Sequence, residues 1–276
     1  MTSLPTFAAG LLFTCLTSLL PLRASSGASP SFIALVAAKD APEPVVLSAA
    51  ERAYYTAAFE QQIVATYTQA RLLPAGLPLE TFRKAVIGFY SLQQRGAIAA
   101  SCHTVTIIDF GRSSTQERFW VVDMAQNRLV HRSLVAHGKN TGADYARTFS
   151  NREGSEMSSL GFYVTGETYQ GKHGLSLKLR GVDAGYNTNA LSRAVVVHGA
   201  EYVSQDFVRQ HGRLGRSQGC PALPVTQAPA IIRTIKGGTV LFANAPGSVL
   251  YHSELLKLDQ ALLAFAQLKH LAVSAG

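Results

Sequence analysis

Between residues 103 and 243 the chain is cut into short apolar runs separated by polar loops containing Gly, Ser and Asn. That spacing leaves little room for long helices. Runs at 105–109, 118–123, 128–136, 160–165, 176–179, 194–198 and 238–243 are rich in Val, Ile, Leu, Phe and Trp. Branched and aromatic side chains suit a pleated, half-buried surface, and short runs bounded by turn residues read as strands. The polar segment 112–117 separates the first two. The pattern predicts a mainly β fold, a sandwich or barrel-like sheet, interrupted by short helical stretches at 200–212 and 225–235.

Helices are predicted at both ends of this β-rich body. Ser48 with Glu51 makes a capping-box pattern, and Tyr55, Phe59, Ile63 and Tyr67 recur every fourth residue, giving a helix of about 22 residues. Pro74-Ala-Gly-Leu-Pro78 breaks it. A second helix follows, with Leu79, Phe82, Val86, Phe89 and Tyr90 on one face, and Leu255, Leu258, Leu262, Phe265 and Leu268 mark a terminal one. All three carry packing residues and no chemistry. The expected division is a helical region over 48–95, a β-rich domain over 96–245 and a helical extension over 246–276.

Ahead of these, residues 6–22 are almost all apolar or small, and Ser25-Ser-Gly-Ala28 follows. This reads as a secretory signal peptide over 1–28, cleaved after Ala24 or Ala28, with a linker over 29–47. No Lys or Arg precedes the apolar run, and an uncleaved membrane anchor is the other reading. Export would place the protein in the periplasm or cell envelope. The formal net charge of +8 points to negatively charged surroundings. The basic residues are scattered and do not alternate with stacking aromatics, which argues against nucleic acid. A wall or membrane surface fits the charge, as a peripheral association. No metal-ligand spacing or phosphate loop appears. Gly212-Arg-Leu-Gly215 lacks the strand–turn–helix context of a dinucleotide fingerprint. No cofactor and no metal are expected.

The chemistry-bearing stretch is Arg216-Ser217-Gln218-Gly219-Cys220-Pro221, with Val195-Val-Val-His198-Gly199 upstream. A thiol ionises only near pH 8.5 unaided, and an imidazole that takes its proton makes it an acyl-transfer nucleophile. A strand end would fix His198 at the rim; a core histidine satisfied by hydrogen bonds is the plain alternative. Gly219 can reach backbone angles denied to other residues. That freedom would turn the Gly219 and Cys220 amides toward an oxyanion, each such donor stabilising the transition state by about 3 kcal/mol. Pro221 biases Cys220 toward an extended backbone. Ser217 would hydrogen-bond within the loop or simply form its turn. Cys102 and Cys220 remain once the signal is removed, and a disulfide between them is the competing reading.

These residues resemble the YkuD-type L,D-transpeptidases, whose signature is a His-Gly followed by Ser-x-Gly-Cys. The resemblance extends over roughly 80–245, through Val135-Ala-His-Gly138, Phe149-Ser-Asn151, Ser158-Ser-Leu-Gly-Phe-Tyr163, Tyr169-Gln-Gly171, Asn187-Thr-Asn-Ala190, Arg193 and 212–222, and favours the murein L,D-transpeptidase branch. It implies an L,D-transpeptidase catalytic domain over 96–245, acting on peptidoglycan stem peptides through a Cys220 thioester. Cross-linking, L,D-carboxypeptidase or D-amino-acid exchange would follow from the choice of acceptor. It also implies His198 as base and Gly199, through a backbone carbonyl, as the group that orients it. The widespread motif has His where Gln218 stands and Arg shortly after the Cys, where Pro221-Ala222 stand. That leaves Arg216 or Arg213 to supply a guanidinium, with Tyr163 and Arg216 as expected substrate contacts. His137-Gly138 resembles a segment near the substrate groove. Two other readings are a non-catalytic wall-binding protein on the same fold and a sortase-like peptidase. The second would need an arginine on a strand after the cysteine, and Arg233 falls in the helical stretch 225–235.

Overall fold

A computed structural model describes residues 46–272, so the predicted signal peptide and most of the predicted linker lie outside the described residues. In chain order the elements are α1 (Ala49–Gln69), α2 (Leu79–Gln94), β1 (Thr104–Asp109), β2 (Phe119–Asp123), β3 (Arg128–Ser133), β4 (Gly161–Gly171), β5 (Gly174–Gly181), β6 (Val196–Ala200), α3 (Gln205–His211), β7 (Ala222–Pro224), α4 (Ala228–Ile235), β8 (Val240–Asn244) and α5 (Leu258–Leu268). The strands lie in the order β3-β2-β1-β8-β4-β5-β6-β7. β1 with β8 and β6 with β7 are parallel, and the other pairs are antiparallel.

The two edges of this sheet come together. Ala136, just past β3, bridges Ala222 of β7, and Gly138 bridges Ser217. The Ala136 amide donates to the Ala222 carbonyl at 2.9 Å and the Ser217 amide to the His137 carbonyl at 2.9 Å. The result is mostly β, a nearly closed barrel-like sheet with helices, as expected. The loop that carries Cys220 lies along this seam.

Alternation along the strands gives each face its own core. Ile107, Trp120, Phe162 and Phe242 point to one side, where they meet Phe59, Phe82, Phe89 and Phe265 of the helices. Ile108, Phe119, Val121, Tyr163 and Leu241 point to the other, against Ile231 and Ile232 of α4. Each fully buried side chain of this size contributes about 1.5–3 kcal/mol. The predicted capping box forms: Ser48 Oγ accepts from the Glu51 amide at 3.2 Å, and Glu51 Oε2 accepts from the Ser48 amide at 2.9 Å. The expected flanking regions share a core with the sheet. α2 packs so closely that a Cβ on Gly88 would fall 2.0 Å from the Phe162 ring.

The structure departs from the sequence reading in three elements. β7, Ala-Leu-Pro, is too short to show periodicity and forms only because its neighbour β6 offers a parallel ladder. The 128–136 run ends as a strand at Ser133, and its last residues become the seam. β4 and β5 extend well past their apolar cores into a hairpin closing at Gly171↔Gly174. No helix of the described residues is long and apolar enough to cross a membrane.

Candidate active site

At the seam the parallel register of β6 and β7 pairs His198 with Ala222. Cys220, two residues before Ala222, therefore stands level with Val196, two residues before His198. The contact is direct: Cys220 Sγ lies 3.5 Å from the Val196 amide, which donates to it, and 3.7 Å from the Ala194 carbonyl. Val196 and His198 share a strand face, about 7 Å apart along the backbone. Thiol and imidazole both line one cleft of about 700 Å³. No disulfide forms; Cys102 and Cys220 are both free thiols.

The tautomer of His198 follows from its partner. Nδ1 sits 2.9 Å from the Gly199 carbonyl oxygen. A carbonyl only accepts, so Nδ1 carries the hydrogen and Nε2 keeps its lone pair. Nε2 has no protein partner among the described residues. Burial lowers the His198 pKa below the ordinary imidazole range. The Gly199 carbonyl acts against this, and the charges of His173 and Lys172 add to it. Burial pushes the Cys220 thiol up, while the Val196 amide and the charges of Arg193 and Lys172 pull it down. Both shifts favour the uncharged forms, a thiol and a neutral imidazole. Burial first, and the charge of Cys220 second, push the nearby Tyr202 hydroxyl up to about 12.

The loop that carries Cys220 corrects one expectation. Gly219 has φ +119°, as its glycine identity suggested. Its amide, however, donates to Ser217 Oγ at 3.0 Å, and Ser217 Oγ donates to the Cys220 carbonyl at 2.6 Å. Ser217 thus ties the turn shut and takes up the Gly219 amide, so the expected pair of oxyanion donors is not formed. The Cys220 amide has no hydrogen-bond acceptor among the described residues and remains available. Glycine at 219 is required twice over, because a Cβ there would also lie 2.7 Å from the Met157 carbonyl oxygen.

Of the expected substrate contacts, Arg216 lines the cleft, with Nη1 bound to the carbonyls of Lys139 at 3.2 Å and Gly142 at 3.1 Å. Tyr163 does not reach it. Tyr163 is buried in the core, and its hydroxyl donates to the Ser159 carbonyl at 3.0 Å; burial raises its pKa. The strand period places it on the inner face, and the apolar run around it was the signal. His137 is also buried, with both ring nitrogens engaged by Arg118 and Gly142. Arg213 binds the Leu214 carbonyl and is not among the cleft residues.

Residues outside the His-Gly and Ser-x-Gly-Cys motifs complete the cleft. Arg193 is a clamp: Nη1 donates to the Ser150 carbonyl at 2.8 Å and to Ser159 Oγ at 2.5 Å, and Nη2 donates to the Met157 carbonyl at 2.7 Å. It fixes the 150–159 loop that walls the site. Tyr169, Lys172 and His173 come from the β4–β5 hairpin. Their placement depends on hairpin length, which no local sequence pattern reported. Among the described residues no cluster of three His, Cys, Asp or Glu side chains is placed to hold a metal ion.

The arrangement can support acyl transfer: a thiol at the cleft wall, a base with a fixed tautomer and one free amide beside the sulfur. Comparison with known families agrees. The model of the L,D-transpeptidase catalytic domain family matches residues 74–244, more than half of the chain. No curated protein sequence matches. Among solved structures, an L,D-transpeptidase from Mycobacterium smegmatis is 12% identical, with 52% of this chain and 59% of that chain covered and a TM-score of 0.33. The helical cell shape determining protein Pgp2 from Campylobacter jejuni is 13% identical, with 66% and 62% covered and a TM-score of 0.37. An L,D-transpeptidase from Xylanimonas cellulosilytica is 14% identical, with 59% and 80% covered and a TM-score of 0.30. The chain thus spans about three fifths of the Mycobacterium smegmatis structure.

Proposed function

The chain belongs to the L,D-transpeptidase catalytic domain family, and we propose that it is an exported cysteine acyltransferase that works on peptidoglycan stem peptides with Cys220 as nucleophile and His198 as base. One observation carries this reading. The Cys220 sulfur rests on the start of β6, and two residues along that strand His198 has Nδ1 fixed by Gly199 and Nε2 free.

Acyl transfer runs in two half-reactions. His198 Nε2 takes the thiol proton as sulfur attacks the carbonyl carbon of an L-configured stem residue. The Cys220 amide donates to the developing oxyanion. The imidazolium returns its proton to the departing amine of the terminal D-residue, leaving a thioester. A side-chain amine of a second stem then attacks the thioester, loses a proton to Nε2 and forms the cross-link amide, and the departing sulfur regains the proton as a thiol. Water or a free D-amino acid in place of that amine gives carboxypeptidase or exchange activity. Arg216 at the cleft wall suits a carboxylate of the donor peptide. The segment 1–28 is proposed to direct export to the periplasm or cell envelope.

A non-catalytic wall-binding protein is the second reading. Its support is the Gly219 amide already spent on Ser217, together with a thiol pushed up by burial. Incubation with a carbapenem, followed by intact-protein mass measurement, separates the two. One adduct on the wild-type protein, absent in Cys220→Ala, is expected, along with altered muropeptides on expression of the wild type alone. No adduct and unchanged muropeptides would sink the catalytic reading. Cleavage of a protein substrate without change in muropeptides would instead favour a peptidase.

A further inference from the structure

The β4–β5 hairpin ends over the cleft. Its ladder runs to Gly171↔Gly174, which leaves Lys172 and His173 as the turn. Gly174 adopts φ +75°, a conformation that lets so tight a turn close. β5 then pairs with β6 through Leu177↔Val197 and Lys178↔Val196, so the turn projects toward the strand that bears His198. The His173 ring lies on the His198 ring, with centroids 4.4 Å apart and planes at 24°. His198 is 3% exposed, whereas His173 is exposed and makes no hydrogen bond among the described residues. The stack on His198 is the aromatic contact that holds it.

We propose that His173 is a positioning residue for His198, its ring covering the open face of that imidazole and holding the plane from which Nε2 meets the Cys220 thiol. This rests on the reading of His198 as the base. A single hydrogen bond from Nδ1 to the Gly199 carbonyl fixes one ring atom and leaves the ring free to swing about it. A flat partner against one face removes that freedom, and misplacing a reacting group by about 1 Å can cost 10²-fold in rate.

The stack has an electrostatic side as well. The titratable and charged groups that line the cleft with His198 are Tyr169, Lys172 and His173 on the hairpin, Glu153, Glu156 and Arg193 on the 150–159 wall and its clamp, and Tyr202, Arg216 and Cys220 on the remaining walls. Glu156 is paired with Lys139 at 2.6 Å. Of these, His173 and Lys172 act by charge to lower the His198 pKa, on top of burial. Removing His173 takes away a neighbouring charge and admits water to the ring face. Both changes raise the His198 pKa.

Two measurements test the proposal on the full chain: carbapenem acylation of Cys220 across pH, and an NMR titration of the His198 ring assigned with His198→Gln. His173→Ala is expected to slow acylation about tenfold near neutral pH. It is also expected to move both the acid limb of the rate profile and the His198 titration to higher pH. His173→Phe keeps a flat ring without the charge. It should retain most of the rate and show a smaller shift. A wild-type acid limb and a wild-type His198 titration in His173→Ala would overturn the proposal. The NMR arm keeps it separate from the catalytic reading. If the wild-type protein forms no adduct, that reading fails, while the titration still reports whether one ring governs the other.

Discussion

Two His-Gly pairs flank the loop that carries Cys220, and they hold opposite tautomers. His137 Nδ1 lies 2.7 Å from Arg118 Nη2. A guanidinium only donates, so Nδ1 accepts and Nε2 carries the hydrogen, which it gives to the Gly142 carbonyl at 3.3 Å. His198 does the reverse: Nδ1 donates to Gly199, and Nε2 stays open to the cleft. Arg118 is fully buried and braced by the Val135 and Arg112 carbonyls. The His137 carbonyl receives the Ser217 amide, and the Gly138 amide donates to Ser158 Oγ, which donates onward to the Gly219 carbonyl. One pair therefore braces the loop from behind, and the histidine of the other lines the same cleft as the Cys220 thiol. The same dipeptide presents a fully engaged ring or an unpartnered nitrogen according to which nitrogen its neighbours consume.

The largest expected difference between the pairs is in rate. His198→Gln removes the open Nε2 and should slow acylation by about 10²–10⁴-fold, with the melting temperature nearly unchanged. His137→Gln keeps an acceptor for Arg118 and should acylate within a few-fold of wild type once folded. Acylation kinetics beside thermal melts check this, and equal rate losses in the two variants would erase the distinction.

Stability against pH separates the pairs next. Burial first, then the Arg118 charge, lowers the His137 pKa to about 4, whereas an unfolded histidine titrates near 6.5. The unfolded state therefore binds more protons between those values. The associated stability is present above about pH 6.5 and is lost as pH falls toward 4, by up to about 3 kcal/mol. His198, also lowered by burial, contributes with the same sign. His137→Gln should flatten most of the acid slope in melting temperature. A wild-type slope in that variant would mean His137 is not the group that titrates.

The glycines of the two pairs differ too. A Cβ on Gly138 would lie 2.4 Å from the Glu156 carbonyl oxygen and 2.9 Å from Gly219 Cα. Backbone on both sides cannot yield cheaply, so Gly138→Ala should cost about 1–3 kcal/mol and displace the nucleophile loop. Acylation should fall even though Cys220 and His198 are intact. Wild-type acylation with a wild-type melt would show that the loop is not held from behind.

Much of the fold was legible because it rests on local patterns. The runs that became β1, β2, β6 and β8 alternate faces, and the Ser48–Glu51 cap and the Phe82-to-Tyr90 stripe follow helical spacing. The two ends of the site, Val195-Val-Val-His198-Gly199 and Ser217-Gln-Gly-Cys220, were legible for the same reason: each is short and contiguous. What was hidden is set by closure of the sheet. β7 exists only as a ladder partner of β6. Ser217 was expected to hydrogen-bond within the loop, but that its side chain reaches forward two residues and takes up the Gly219 amide is a choice of rotamer that sequence does not report. Tyr163 and the hairpin turn exchanged expectations. The tyrosine faces the core because of strand phase, and His173, which lies just past the Tyr169-Gln-Gly171 block and was given no role, reaches the site because two strands outrun their apolar centres.

The smallest effect is expected at Gly199. A Cβ there would meet Ala228 Cβ and Val225 Cα, both at 3.3 Å, and one of these is a side-chain methyl on the edge of α4. A shift of a few tenths of an ångström accommodates it, so Gly199→Ala should destabilise by less than about 1.5 kcal/mol. The Gly199 carbonyl belongs to the main chain and survives the substitution, so the His198 tautomer should survive with it. Acylation rate and its acid limb should stay close to wild type. A large rate loss at unchanged melting temperature would show that the base depends on the exact placement of that carbonyl, and that the working pair is as intolerant of a methyl group as the bracing one.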